Sequence, residues 1–148
     1  MTSTPPRVLV VDDSTVVRHI LSVTVRQLPG YSRVVVDEAA NGAIALEKLQ
    51  AERHQFVLSD VRMPLMDGLE LVRRIRQDLH DLETPVVLIT TLGTQEDIDR
   101  GLAAGATAYV IKPLSPHHIT KALLEILRPW VRARCGAPSR PSYLNRAP

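Results

Sequence analysis

Three carboxylates, a hydroxyl and an ammonium each stand at the end of a short apolar run in this chain. Val8-Leu9-Val10-Val11 leads to Asp12-Asp13, and Phe56-Val57-Leu58-Ser59 leads to Asp60. Val86-Val87-Leu88-Ile89 leads to Thr90, and Ala108-Tyr109-Val110-Ile111 leads to Lys112-Pro113. Carboxylates gathered in one place repel one another unless a hard cation sits among them, and oxygen ligands of this kind suit Mg²⁺. A lysine and a threonine hydroxyl facing them can hold the remaining oxygens of a phosphoryl group. A carboxylate is also a competent nucleophile towards phosphorus and gives an acyl phosphate. Together these residue types suit Mg²⁺-dependent phosphoryl transfer onto a carboxylate.

The chemistry requires elements that bring the groups together. Apolar runs this short, alternating with helical patterns, predict an α/β fold with a parallel sheet and helices on both faces. Ligands bind at the carboxyl ends of the strands in such a sheet, so all the polar groups would converge on one edge. Strands are expected over residues 7–11, 33–37, 55–59, 85–90 and 107–111. Helix one would bury Val17, Ile20, Leu21, Thr24 and Leu28 and stop at Pro29-Gly30. Asn41-Gly42 opens helix two, which faces the core with Ala45, Leu46 and Leu49. Pro64 and Gly68 bracket the loop before helix three, which presents Leu71, Val72 and Ile75. Thr94 with Asp97 predicts a capping box for helix four, and Gly105 its end. Ser115-Pro116 fits an N-cap and first-turn proline for helix five, with Ile119, Leu123, Ile126 and Leu127 on its apolar face.

Composition sets limits. A chain of 148 residues, 45% of them hydrophobic, holds one globular domain and little more. Its apolar runs are far too short to cross a bilayer, and no charged-then-apolar leader precedes Arg7. The single Cys135 cannot close an internal disulfide, which fits a cytoplasmic location. The net charge of +2 hides an asymmetry: Arg128, Arg132, Arg134, Arg140 and Arg146 lie in a terminal stretch without an acid. The basic pI therefore belongs to the tail and does not predict nucleic-acid binding. Residues 1–6 and 129–148 read as mobile termini around a domain spanning 7–128.

The segments VLVVDDS, LSDVRMPLMDGLEL, VVLITTLG and GATAYVIKPL resemble the receiver domain of two-component response regulators, close to the stand-alone chemotaxis (CheY-like) type. They occur in that family's order and spacing. The resemblance covers roughly residues 6–128 and implies a flavodoxin-like (βα)₅ fold with strand order 2-1-3-4-5. It makes Asp60 the phosphoacceptor, with Asp12, Asp13, Asp60 and the carbonyl of Arg62 around Mg²⁺. Lys112 would pair with a phosphoryl oxygen across a cis bond to Pro113. Thr90 and Tyr109 would be the switch pair, Tyr109 turning inwards as Thr90 moves to the phosphoryl group. The implied partners are a histidine kinase or phosphotransfer protein and a downstream protein that reads the helix four–strand five–helix five face. Neither nucleic acid nor a membrane is a direct partner. Catalysis would be limited to self-catalysed phosphotransfer and autodephosphorylation. Two positions that flank the acyl phosphate in the family, often polar in its fast-cycling members, are Arg62 and Leu92 here, with Thr91 beside them.

Other meanings of the same residues stand beside this one. Asp12 and Asp13 could cap helix one, worth about 1 kcal/mol. Tyr109 could be packed statically. The adjacent His117 and His118 do not face each other on a helix and so make no metal pair. His19, His54 and His80 are scattered without motif partners, and Trp130 suits packing under helix five. Three functional alternatives remain. One is an interaction scaffold that keeps the fold without phosphorylation, and another is an α/β phosphatase with an aspartate nucleophile. The third is the receiver portion of a methylesterase or transcription factor.

Overall fold

The structure is a computed structural model that describes residues 4–112 and 115–132. Its elements run in the order β1 (Arg7–Val11), α1 (Thr15–Arg26), β2 (Val35–Ala39), α2 (Gly42–Ala51), β3 (Phe56–Ser59), α3 (Gly68–Gln77), β4 (Val86–Thr90), α4 (Gln95–Ala104), β5 (Ala108–Ile111) and α5 (Pro116–Arg132). The strands form one parallel sheet in the order β2-β1-β3-β4-β5, as expected. The order reverses between β1 and β3, so the loops leaving these neighbouring strands part and open a crevice at their carboxyl ends.

Side-chain alternation along the strands explains the layers. Val8 and Val10 face one core with Phe56, Leu58, Val87 and Ile89, closed by Leu21 and Val25 of α1 and Ile119, Leu123 and Leu127 of α5. Leu9 and Val11 face the other with Val57 and Leu88, closed by Ala45 of α2 and Leu71, Val72 and Ile75 of α3. Both faces of the central strands are therefore buried, which is why those strands are unbroken apolar runs.

The punctuation residues act as their chemistry predicts. Thr94 and Asp97 form a reciprocal capping box on α4, and Gly105 ends that helix at φ 113°. Asn41 caps α2, and Ser115 Oγ accepts from the His118 N–H at 3.1 Å at the head of α5. Arg76 ties three segments by donating to the carbonyls of Gly105, Asp81 and Thr84 at 3.0, 3.0 and 2.8 Å.

Strand two and helix five depart most from expectation, while β3, β4 and β5 each begin one residue later. Strand two begins at Val35, two residues later than the sequence pattern placed it. Residues 31–34 instead form a turn closed by Val34 N–H on the Tyr31 carbonyl, and pairing starts where Val35 N–H meets the Pro6 carbonyl. Tyr31 and Val34 are buried in the core from that turn, so their apolar character serves the turn and not the strand. Helix α5 continues through Pro129 to Arg132, past the boundary drawn at 128. A proline removes one helical hydrogen bond and can bend a helix without ending it. Residues 133–148, Pro113 and the expected cis bond before it lie outside the described residues.

His54, scattered in the sequence, is buried in the fold. Its Nε2 pairs with Asp37 at 2.8 Å and its Nδ1 with the Glu52 carbonyl at 3.0 Å. Arg7 grips the same carboxylate at 2.9 and 3.0 Å. Burial drives the Asp37 pKa up, but the hydrogen bonds from Arg7 and His54 outweigh it and leave the group below the ordinary aspartate value. This cluster joins β1, β2 and the α2–β3 connection.

Candidate phosphoacceptor and cation site

The crevice after β1 and β3 brings three acids together. One oxygen from each of Asp12, Asp13 and Asp60 lies within 4.8 Å of the others. Asp12 is 2% exposed, Asp13 is exposed and Asp60 is half-buried. Lys112, just past β5, places its Nζ 3.4 Å from both Asp12 Oδ2 and Asp60 Oδ2. Burial and the charge of Asp60 raise the Asp12 pKa against the opposing pull of the Ser14 N–H and Lys112.

Local chemistry sets each position. Asp60 keeps its backbone N–H on the Val11 carbonyl at 2.9 Å, so it leaves β3 still tied to β1. Its Oδ1 accepts from the Val61 N–H at 2.7 Å, which turns Oδ2 towards Lys112. Asp12 Oδ1 accepts from the Ser14 N–H at 2.9 Å. Helix α1 is capped by Ser14 Oγ and not by either acid. The capping role considered for the Asp12-Asp13 pair is thus filled by another residue, and Asp13 has no hydrogen bond among the described residues.

Gly68 opens α3 directly against the acceptor loop. A Cβ there would lie 2.2 Å from the Asp60 carbonyl oxygen. We expect Gly68→Ala to push this loop aside and destabilise the fold by about 3 kcal/mol in urea unfolding. An unchanged midpoint would contradict that tight approach.

Thr90 and Tyr109 meet through one intervening residue. Thr90 is buried at the end of β4, and its Oγ1 accepts from the Leu92 N–H at 3.3 Å. The Tyr109 hydroxyl donates to the Leu92 carbonyl at 2.6 Å. The Tyr109 ring is half-buried and lies against Gly101, where a Cβ would come within 2.8 Å of Cδ2. The ring therefore packs against α4. Burial, with the charges of Asp97 and Asp60, raises the phenol pKa. Arg62 is exposed, and with Leu92, Asp67, Asp97, Arg100 and Tyr109 it borders a cavity of about 230 Å³.

Sequence reasoning missed Arg18, whose guanidinium reaches the Asp12 carbonyl at 2.6 Å. It also missed the Leu92 link, because both contacts use backbone atoms that residue type does not reveal.

The donor set fits a hard divalent cation. Three carboxylates against one ammonium leave two negative charges, one of the carboxylates being almost fully buried. An oxygen-liganded Mg²⁺ would neutralise them. The fold and the site together define a doubly wound α/β domain with an acid pocket at its switch point.

Residues 8–124 match the response regulator receiver domain family, and the chain belongs to that family. It is 40% identical over 122 residues to the chemotaxis protein CheY1 of Helicobacter pylori, covering 82% of this chain and 95% of that protein. The chemotaxis response regulator CheY4 of Vibrio cholerae superposes with a TM-score of 0.74 at 38% identity, over 84% of this chain and all (100%) of that one. The BeF3-activated DrrB receiver domain superposes with a TM-score of 0.71 at 29% identity, over 84% of this chain and 99% of that one. The chain is similar to CheY-type receivers and is consistent with two-component signalling. No helix among the described residues is long and apolar enough to cross a membrane.

Proposed function

We propose that this receiver is cytoplasmic and accepts a phosphoryl group on Asp60 from the phosphohistidine of a histidine kinase or phosphotransfer protein. The observation that carries the proposal is the position of Asp60 Oδ2, which shares Lys112 with Asp12 Oδ2 at 3.4 Å each. Asp60 Oδ2 attacks phosphorus, the P–N bond of the donor breaks, and the departing imidazole keeps the electron pair and takes a proton from solvent. Bound Mg²⁺, held by Asp12, Asp13, Asp60 and the Arg62 carbonyl, would neutralise phosphoryl charge. Lys112 then moves from the acids to a phosphoryl oxygen, and Thr90 gives up the Leu92 N–H to donate to another. The carboxylate contributes little beyond nucleophilicity; positioning and charge neutralisation do the rest.

The switch follows from the Leu92 link. Movement of Thr90 releases the N–H of the residue whose carbonyl holds the Tyr109 hydroxyl, so acceptor state and Tyr109 packing change together. The α4–β5–α5 surface would carry that change to a downstream protein. A structural neighbour was solved in a BeF3-activated form, which makes beryllofluoride the natural probe.

With Mg²⁺ and beryllofluoride, amide resonances of Leu92, Tyr109 and the α4–β5–α5 surface should shift in the native chain and stay fixed in Asp60→Asn. An unresponsive native chain would favour the interaction-scaffold alternative.

A further inference from the structure

We propose that Arg18 is a positioning residue of the cation site, acting through the peptide between Asp12 and Asp13. The proposal rests on the cation site described under the proposed function. Asp12 is fixed at each polar atom. Its N–H donates to the Ala39 carbonyl at 3.0 Å, Oδ1 accepts from Ser14 at 2.9 Å and Oδ2 faces Lys112 at 3.4 Å. Its carbonyl accepts from Arg18 Nη1 at 2.6 Å. That carbonyl lies beyond the last β1 residue and before the first residue of α1, so neither ladder nor helix would otherwise orient it.

Arg18 is itself held from two sides. Its Nε donates to Glu38 Oε1 on β2 at 2.9 Å, and its Nη2 donates to Thr15 Oγ1 at 3.3 Å. The side chain is only 15% exposed, which strengthens these contacts relative to an open surface pair. The rigid guanidinium fork thus links α1, β2 and the peptide plane that joins the two acids. Rotation of this plane would swing Asp13, which has no hydrogen bond of its own among the described residues. Groups that orient metal ligands from behind typically change affinity by about 10–100-fold.

Charge and position predict opposite signs for the loss of Arg18. A guanidinium near the site repels a divalent cation, so removing its charge alone would tighten Mg²⁺ binding. Losing the orientation of the 12–13 peptide would weaken it.

The test is calorimetric titration of the full chain with MgCl₂, comparing native, Arg18→Met and Arg18→Lys proteins whose folding is checked by circular dichroism. We expect Arg18→Met to bind Mg²⁺ about tenfold more weakly. Arg18→Lys should fall between it and native, because an ammonium can still donate to the Asp12 carbonyl but cannot span the three acceptors. Native-like or tighter binding by Arg18→Met overturns the proposal. If Arg18→Met fails to fold, Arg18→Lys decides: weaker binding supports the positioning role and native binding overturns it. A native chain that takes up no Mg²⁺ would overturn the cation site and the role of Arg18 with it. Native uptake with unchanged variants would overturn only the latter.

Discussion

Asp13→Asn is expected to bind Mg²⁺ at least about tenfold more weakly, a loss of about 1.4 kcal/mol, and to take up no phosphoryl group from acetyl phosphate. The substitution removes one of three charges while leaving the shape almost unchanged. Asp13 is the best of the three acids for this test. It is exposed and unbonded among the described residues, so an amide there leaves the fold intact. Asp12, in contrast, is buried and tied at every polar atom, so its replacement would combine a stability defect with a binding defect. Chelation with EDTA should abolish native phosphorylation in the same way. The check is a Mg²⁺ titration followed by intact-mass measurement after incubation with acetyl phosphate. A native-like titration in Asp13→Asn would remove this residue from the site.

The second large effect concerns the lifetime of the acyl phosphate. Hydrolysis needs a water held in line with the phosphorus, and Leu92 offers no side-chain hydrogen bond to hold one. Leu92 is half-buried and shares the margin of one cavity with Arg62, which is close to the acceptor residue in sequence. Arg62 carries an exposed guanidinium without a partner among the described residues and is free to cover a phosphate. Thr91 stands exposed beside Thr90, where it is bulkier than an alanine would be. We expect slow decay in the native protein and decay at least about tenfold faster in Leu92→Glu, the equivalent of about 1.4 kcal/mol of barrier. Arg62→Asn and Thr91→Ala should accelerate decay less. The measurement is loss of phosphoprotein with excess Mg²⁺, and native decay within seconds with no faster variant would contradict the access argument.

Strands β1, β3, β4 and β5 and the acids were legible because each of these strands is an apolar run leading to a polar residue, which β2 is not. Such a run suits a parallel sheet covered on both faces. The helix ends were legible where one side chain does the work, as at Thr94, Gly105 and Ser115. Strand two was misplaced because Val34 looks the same in sequence whether a turn or a strand buries it. Pro129 suggested a stop that α5 does not make. Arg18 was invisible as a site residue because its acceptors are a backbone carbonyl and Glu38, twenty positions away. His54 lacked partners in sequence because Asp37 and Arg7 reach it only through the β1–β2 pairing. Residue type and spacing revealed the polar groups gathered in the candidate site, whereas the groups that hold them emerged only from tertiary contacts.

The central claim is that Asp60 is the nucleophile. Peptide mass spectrometry of the native chain after incubation with acetyl phosphate and Mg²⁺ tests it most directly. One phosphoryl group on Asp60, absent from Asp60→Asn, is the predicted result, and a label on Asp12 or Asp13, or none at all, would contradict it.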